Sequence, residues 1–430
     1  MDKIIIITGL LVLISGCTTK ENTMNPFFED YQTPFQIPPF ERIEMSHYAP
    51  AFEAGMKEQL EDIERITSNK EKPSFENTIV ELERTGKILD KVSNVFFNLL
   101  GSNTNDDMDK LAVDISPKLS AHGDSILLNK ELFDRVKAVH QTRENFNLDT
   151  EQNRLLDETF KRFTRSGANL NENSMKRLTK INQSLSSLSV KFDQNVLKET
   201  NSFSLIIDNE EELSGLPAEE IRQAAKLAKS EGHEGKWVFK PTRVSMYPFI
   251  TYSDQRELRE QLYNSYIRRG DNNNEFDNKK IISEMVSLRI EKANLMGFDT
   301  HADFVLDNTM AQNTNRVNDL LQKIWKPGLA TAQKEAKDMQ DLIQQEGGNF
   351  QLAAWDWWHY AEKIRQNRFN FTEEEVKPYF SEDKVLMGAF DVANKLFDIH
   401  FVERYDLPKY RDNIRSFEVK NDQEETIGIF

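Results

Sequence analysis

The stretch NTIVELERTGKILDKVSNVFFNLLG, residues 77–101, sets the expectation for the fold of this chain. Apolar side chains recur in it at intervals of three or four residues, which places them along one stripe of a helix. The stripe consists of Ile79, Leu82, Leu89, Val92, Phe96 and Leu99. Asn77 or Thr78 can cap the start of such a helix, and Gly101 can end it. The pattern predicts one long amphipathic helix over 77–101.

The same periodicity extends through most of the sequence. It predicts further helices over 150–165, 172–199, 277–296, 315–345 and 352–367. Three stretches predict strands instead, namely FSLIID from Phe203, KWVFK at 236–240, and RSFEVKNDQEETIGIF at 415–430, which is typical of a hairpin. Only 17 glycines and 13 prolines occur in 430 residues, which favours long helices over a turn-rich architecture. We therefore predict a mostly α protein with a few short β-strands.

The bulk composition excludes several classes of protein. Hydrophobic residues make up 38% and charged residues 29% of the chain, which is typical of a soluble globular protein. The formal net charge is −16. Because a strongly acidic surface repels a phosphate backbone, and no basic patch is evident, we expect no nucleic-acid partner.

The N-terminus carries a processing signal. Lys3 precedes an apolar run over residues 4–14, which is too short to span a bilayer and suits the core of a signal peptide. The run ends in Ile-Ser-Gly-Cys at residues 14–17, which resembles a bacterial lipobox, and Cys17 is the only cysteine. These features predict a lipoprotein signal peptide over 1–16, lipidation of Cys17, an extended tether over 17–45, and attachment to a bacterial membrane in the cell envelope. An ordinary secretory signal followed by a free thiol is the alternative.

A search for zinc ligands among the seven histidines finds no matching motif. They are His47, His122, His140, His233, His301, His359 and His400. The commonest helical zinc peptidase motif is His-Glu-x-x-His, because residues four apart share one helix face. His233-Glu234 begins this pattern, but Trp237 stands where the second histidine is required. The sequence therefore offers no catalytic and no metal-binding residue, although a site assembled from distant histidines stays open.

Three polar stretches each have a structural and a functional interpretation. In residues 254–270 glutamates and arginines alternate at helical spacing, which predicts a solvated face with weak ion pairs. His301 and Asp303 favour capping chemistry at a helix start over a site. In AAWDWWHYAEK, residues 353–363, three tryptophans predict packed core aromatics; a ligand role for His359 is the alternative.

Five blocks of this sequence, in order, resemble one known family. They are PSFENTIVELERTGKILDKVSNVFFNLLGSNTND (73–106), RSGANL (165–170), PFITYSDQRELREQLYNSYIRRG (248–270), DNKKIISEMVSLRIEKANLMGFDTHADFVL (277–306) and AAWDWWHYAEK (353–363). Together they are similar to the thimet oligopeptidase, oligopeptidase A and peptidyl-dipeptidase family of zinc metallopeptidases. The resemblance runs from about Asn25 to Phe430 and is greatest to the bacterial peptidyl-dipeptidase branch, also called dipeptidyl carboxypeptidase.

The resemblance implies a two-lobed helical protein, monomeric when complete, with a deep channel that admits short peptides. It implies a zinc ion held by His-Glu-x-x-His and a further glutamate, and the release of dipeptides from a free C-terminus. No position in these 430 residues matches those ligands. We therefore expect residues 46–245 to be an N-terminal helical region and residues 246–430 to be the start of the catalytic region, truncated before the zinc-site helices. Such a chain would be inactive alone, and it would either aggregate or show a protease-sensitive region near residues 380–430.

Two hypotheses from other classes stay open at this point. One is a lipid-anchored helical protein that binds peptides or a partner without catalysis, and the other is a purely structural helical lipoprotein. The coding sequence after Phe430 separates them from the enzyme, because a continuation that encodes His-Glu-x-x-His supports the peptidase. A peptide-binding titration separates the two from each other.

Overall fold

A computed structural model describes residues 24–430 of the chain. These residues are mostly helical with five short strands, which confirms the predicted fold class. The predicted signal peptide and Cys17 lie outside the described residues. Across residues 24–430, every helix is too short or too polar to cross a bilayer.

The first part of the described chain is a helical array with two apolar cores. Three single 3-10 turns, Pro26–Phe28, Pro34–Gln36 and Phe40–Arg42, lead into it, and Phe27 is already buried. The helices are α1 (Met45–Ser68), α2 (Glu81–Glu83), α3 (Lys87–Ser102), α4 (Asp106–Leu127), α5 (Lys130–Gln141) and α6 (Thr150–Arg165). One core joins Phe27 to α1, α3 and α4, and the other joins α1 to α5 and α6. The domain boundaries near residues 45 and 245 stay predictions.

The predicted helix over 77–101 is interrupted, so that prediction was wrong in its length. Residues Phe75–Val80 form a π-helical turn capped by Ser74, whose side chain accepts from the backbone N–H of Asn77. The chain then breaks at Gly86, which has φ +80°. Only glycine adopts this left-handed conformation readily, so α3 starts afresh at the next residue. The predicted apolar stripe is nevertheless confirmed, because each of its residues is buried or half-buried on both sides of Gly86.

The middle of the chain surrounds a small two-stranded sheet. Its elements are α7 (Glu172–Ser202), β1 (Leu205–Ile207), α8 (Ala218–Ser230), β2 (Trp237–Phe239), α9 (Arg243–Tyr252) and α10 (Arg256–Ile267). The strands pair antiparallel, with Leu205 opposite Phe239 and Ile207 opposite Trp237. Side chains from the strands and from α8, α9 and α10 form a third core.

The last part of the chain buries far fewer side chains. Its elements are α11 (Lys279–Leu295), α12 (His301–Leu306), α13 (Thr314–Gln345), α14 (Trp357–Phe369), α15 (Glu373–Val376), α16 (Glu382–Phe397), β3 (His400–Arg404), β4 (Ser416–Lys420) and β5 (Thr426–Ile429). The only apolar cluster of buried residues found here within the described chain is Met339, Ile343 and Tyr360, between α13 and α14. Much of this part is therefore held by few interior contacts.

The predicted hairpin at 415–430 is present as β4 and β5, but it belongs to a three-stranded sheet. The sequence prediction missed β3, which pairs antiparallel with β4 from His400 opposite Lys420 to Arg404 opposite Ser416. On one side of the sheet, Phe390 of α16 stacks on Phe401, with ring centroids 3.9 Å apart. β5 forms the edge of this sheet, and its residues are exposed.

Candidate functional site

The aromatic segment at 353–363 is built around a buried carboxylate. It begins with a 3-10 turn, Ala354–Asp356, and continues as α14. The backbone N–H of Ala353 donates to Oδ2 of Asp356 at 3.1 Å, which closes the turn. The Asp356 side chain is 0% exposed. Because removing an ion from water costs several kcal/mol, this carboxylate requires charged partners.

Two arginines of α10 provide those partners. Arg256 donates from Nη2 to Asp356 at 2.9 Å, and Arg259 donates from Nη2 to the other carboxylate oxygen at 2.9 Å. Arg259 is 2% exposed and also donates to the carbonyl of Ser253 at 2.7 Å. We name Asp356, Arg256 and Arg259 the Asp356 clamp. The prediction of a solvated face for residues 254–270 was therefore wrong at these two arginines. They are three positions apart and lie on the side of α10 that meets the aromatic segment.

Aromatic side chains of the segment contact the clamp and the neighbouring helix α9. The guanidinium of Arg256 lies 5.5 Å from the ring centroid of Trp355 and 4.3 Å from that of Phe350. Trp358 meets Tyr247 of α9 edge-on, with ring centroids 5.4 Å apart. The segment therefore joins α9 and α10 to α14. The tryptophans are less buried than the predicted core aromatics, since Trp355 and Trp357 are half-buried and Trp358 is 46% exposed.

His359 belongs to the same buried junction. Its side chain is in the interior, and its Nδ1 lies 3.1 Å from the carbonyl oxygen of Thr251. Since a carbonyl only accepts, Nδ1 carries the proton and donates it. Burial, together with the nearby charges of Arg259 and Lys363, lowers the pKa of His359 to about 4. The imidazole is therefore neutral at pH 7, and its geometry is that of a packed core histidine.

The described residues do not fit a zinc site. Among residues 24–430, no group of three or more histidine, cysteine, aspartate or glutamate side chains is placed to hold a metal ion. His122 lies 2.7 Å from Gln59, and His400 lies 3.2 Å from a carboxylate oxygen of Glu424. His301 opens α12, where Thr300 caps the helix by accepting from the N–H of Asp303. No catalytic step is therefore assigned to a zinc ion on this part of the protein.

A second buried carboxylate, Glu199 of α7, was not found by sequence reasoning. It accepts hydrogen bonds from the N–H of Gly270 and from the side-chain amides of Asn272 and Asn274. Burial acts to raise the pKa of Glu199, but these three donors outweigh it and hold the pKa below its usual value. Glu199 thus holds the loop after α10 in place through hydrogen bonds made within the fold.

The N-terminal half of α13 carries an apolar stripe that packs against nothing in the described chain. Every residue from 318 to 331 is exposed. The large apolar side chains among them are Leu320, Leu321, Ile324, Trp325 and Leu329, which we name the α13 stripe. At 3.6 residues per turn they fall within about 180° of the helix circumference, and Asp319, Lys323 and Lys326 fall on the other side. The helix is amphipathic, yet both of its faces are exposed.

Helix α16 also carries an exposed apolar stripe. Its side chains Leu386, Phe390 and Ala393 are half-buried, and Phe390 contacts Phe401 and Phe417 of the sheet. A neighbouring stripe of Val385, Val392 and Leu396 is exposed. In the described chain, twenty-five of the thirty-five exposed large apolar residues lie after residue 280. The periodicity of the sequence could predict these stripes, but it could not show that they would be left uncovered.

The accessible surface of the whole chain is correspondingly large. It measures 28238 Å², whereas a compact monomer of 50.0 kDa exposes about 17,000 Å². Residues 1–23 account for at most about 4,000 Å² of the difference, since even an unfolded chain exposes only about 1.45 Å² per dalton. The remaining excess of about 7,000 Å² is larger than the 1,000–2,500 Å² that one partner contributes to many permanent interfaces.

Comparison with known proteins agrees with the five sequence blocks. Residues 249–430 match Peptidase family M3. Dipeptidyl carboxypeptidase of Escherichia coli K12 is 34% identical over 398 residues, which are 92% of this chain and 58% of that protein. Oligopeptidase A of Haemophilus influenzae is 30% identical over 400 residues, again 92% of this chain and 58% of that protein. The chain thus spans less than two thirds of the length of these relatives.

The resemblance predicted from the sequence is therefore confirmed. The clamp and the α13 stripe both fall within the segment that matches the family. Residues 249–430 form part of a Peptidase family M3 domain, and the chain as a whole corresponds to the N-terminal part of dipeptidyl carboxypeptidase and oligopeptidase A.

Proposed function

We propose that the protein to which these residues belong is a zinc metallopeptidase of the peptidyl-dipeptidase type. Its substrates are short peptides, from whose free C-terminus it releases dipeptides. The observation that carries this proposal is the 34% identity to dipeptidyl carboxypeptidase over 92% of the chain. The match of residues 249–430 to Peptidase family M3 supports the same reaction class.

Within that peptidase, we assign residues 24–430 a scaffolding role. The carboxylates of Asp356 and Glu199 and Nδ1 of His359 all make hydrogen bonds within the fold. The zinc ligands and the general base would come from a polypeptide equivalent to the part of the relatives that the chain does not match. The 430-residue chain alone would then bind no stoichiometric zinc and hydrolyse no peptide, and the complete enzyme would act as a monomer.

A chimera tests this proposal. The 430-residue chain is extended after Phe430 by the part of Escherichia coli dipeptidyl carboxypeptidase that follows the match. The substrates are one short peptide with a free C-terminal carboxylate and the same peptide with a C-terminal amide. We expect the chimera to release dipeptides from the free acid only, to lose this activity with a chelator and to regain it with zinc.

The unextended chain is the control in the same assay, and we expect no product from it. Two outcomes would contradict the proposal. One is cleavage by the unextended chain. The other is a folded chimera that binds one zinc ion and leaves both peptides intact.

We also propose that the protein is anchored in a bacterial envelope through a lipid on Cys17. The support is the apolar run over 4–14, followed by Ser15, Gly16 and the only cysteine of the chain. In bacteria fed a clickable fatty acid, we expect the wild-type protein to be labelled and to sediment with membranes. Cys17→Ser should abolish both. Membrane attachment that persists in Cys17→Ser without label would refute lipid anchoring at this residue.

A further inference from the structure

Helices α1, α3 and α4 border an open cavity that the peptidase proposal does not use. Its volume is about 460 Å³, within the range of about 300–1,000 Å³ that small-molecule sites occupy. All of its lining comes from residues 59–162, outside the segment that matches Peptidase family M3. The apolar part of this lining consists of Leu82, Leu89, Leu119, Ile126 and Leu127. Such a surface suits a small ligand with an apolar body.

One polar wall of the cavity is fixed by hydrogen bonds within the fold. Nε2 of His122 lies 2.7 Å from Oε1 of Gln59, and because that oxygen only accepts, the histidine donates. The amide of Gln59 donates to Oγ1 of Thr85 at 3.1 Å, and this hydroxyl donates to the carbonyl of Leu82 at 2.9 Å. Burial lowers the pKa of His122, so its ring is neutral at pH 7. This wall is therefore ordered without a ligand and carries no charge.

The part of the lining that comes from α3 carries acceptors without a partner. Asp90 and Ser93 are three positions apart and both line the cavity, and neither side chain makes a hydrogen bond or an ion pair within residues 24–430. The other charged residues of the lining, Arg162 and Glu83, pair with each other at 3.7 Å. Burial raises the pKa of Asp90, which shows that water solvates this carboxylate incompletely. The cavity thus presents one uncompensated negative charge beside an apolar surface.

A glycine keeps part of the cavity open. Gly123 lines the cavity from within α4, where glycine is about 1 kcal/mol less favourable than alanine. A Cβ atom added at Gly123 would meet no heavy atom of the surrounding structure within 4 Å, so close packing does not require glycine here. A larger side chain at this position would instead fill the cavity.

We propose that this cavity binds a primary ammonium group carried on a small apolar body. The ammonium donates to the carboxylate of Asp90 and to the hydroxyl oxygen of Ser93, and the apolar body packs against the leucine and isoleucine side chains of the lining. A free amine and the N-terminus of a short peptide with an apolar first residue share this chemistry. The site is independent of zinc and of peptide cleavage, so it fails or holds separately from the proposed function.

Calorimetric titration of the 430-residue chain with 2-phenylethylamine tests the proposal. We expect one molecule to bind per chain, at least about tenfold more tightly than 2-phenylethanol or 3-phenylpropionate, because neither of these offers a cation to the carboxylate. The tripeptide amide Phe-Ala-Ala and its N-acetylated form distinguish the two sources. Binding of the free tripeptide and not of the acetylated form assigns the site to a peptide N-terminus, whereas binding of 2-phenylethylamine alone assigns it to a free amine.

Two variants, each with a matched control, connect binding to the cavity. Asp90→Asn should weaken the binding of 2-phenylethylamine at least about tenfold and remove its advantage over 2-phenylethanol. Asp134→Asn, at an exposed aspartate of α5 outside the cavity, should leave the affinity unchanged. Gly123→Leu should abolish the binding of every probe without lowering the thermal unfolding temperature, since leucine favours a helix more than glycine does. Gly101→Leu, at a glycine of α3 with equally open surroundings outside the cavity, should retain binding.

Four results would overturn the proposal. They are the absence of saturable binding of 2-phenylethylamine, equal affinity for the amine and the alcohol, undiminished affinity in Asp90→Asn, and retained binding in a folded Gly123→Leu protein. Should Gly123→Leu fail to fold, the comparison of Asp90→Asn with wild type still decides, because that substitution leaves the volume of the cavity unchanged.

Discussion

Asp356→Asn is expected to destabilise the region around α14 by about 3–5 kcal/mol, the usual cost of removing one partner from a buried ion pair. The substitution preserves the shape of the side chain but leaves the Arg259 guanidinium, 2% exposed, without its carboxylate. Trp355 lies beside the clamp, and Trp357 and Trp358 begin α14, so their fluorescence reports unfolding of this region. Urea titration followed at the tryptophans should therefore show a markedly lower midpoint in the variant.

Two further variants make this prediction specific. Asp391→Asn removes a carboxylate from an exposed pair with Lys395 on α16 and should cost at most about 0.5 kcal/mol. Asp356→Asn combined with Arg259→Met removes both buried charges and should recover part of the loss, because the unpaired guanidinium is gone. An Asp356→Asn protein as stable as wild type would show that the clamp contributes no net stability.

His359 should make the stability of the same region depend on pH between about 4 and 6.5. Its folded-state pKa of about 4 lies below the ordinary value near 6.5, so the unfolded chain binds more protons in this interval. The contribution is complete above pH 6.5 and is lost as the pH falls toward 4. The difference of about 2.5 pKa units corresponds to about 3 kcal/mol.

The measurement compares urea unfolding of wild type and His359→Gln from pH 7 to pH 4. Other groups titrate in both proteins, so the difference between the two curves isolates the histidine. We expect wild type to lose about 3 kcal/mol more than the variant over this range. Parallel curves would mean that the imidazole is not held neutral in the folded protein.

Local periodicity predicted six helical stretches, because the spacing of apolar residues is a property of each segment alone. It gave no bounds for α1, α4, α5, α8, α9 or α16. The helices over 150–165 and 315–345 were predicted within one or two residues of the observed α6 and α13. The single helix over 77–101 was not, because the π-turn at 75–80 and the break at Gly86 depend on how the chain packs against α1. The strand β3 was missed because its pairing with β4 is a long-range contact.

The polar features were harder to predict because their partners are distant in sequence. Arg259 and Asp356 are separated by 97 positions, and nothing local distinguishes them from surface residues of the same type. The Arg-x-x-Arg spacing at 256–259 was visible, but charged pairs at that spacing are usually solvated. The α13 stripe is the opposite case. Its amphipathic helix was predicted correctly, but the apolar face is exposed, whereas such a face usually packs in a core.

Dipeptide release by the chimera, measured beside the 430-residue chain, tests the central claim most directly. The claim is that these residues are the scaffold of a peptidase whose zinc chemistry lies in the part of dipeptidyl carboxypeptidase that they do not match. We predict zinc-dependent release of C-terminal dipeptides by the chimera and no release by the 430-residue chain. One zinc ion bound per 430-residue chain, together with peptide cleavage that a chelator abolishes, would contradict it.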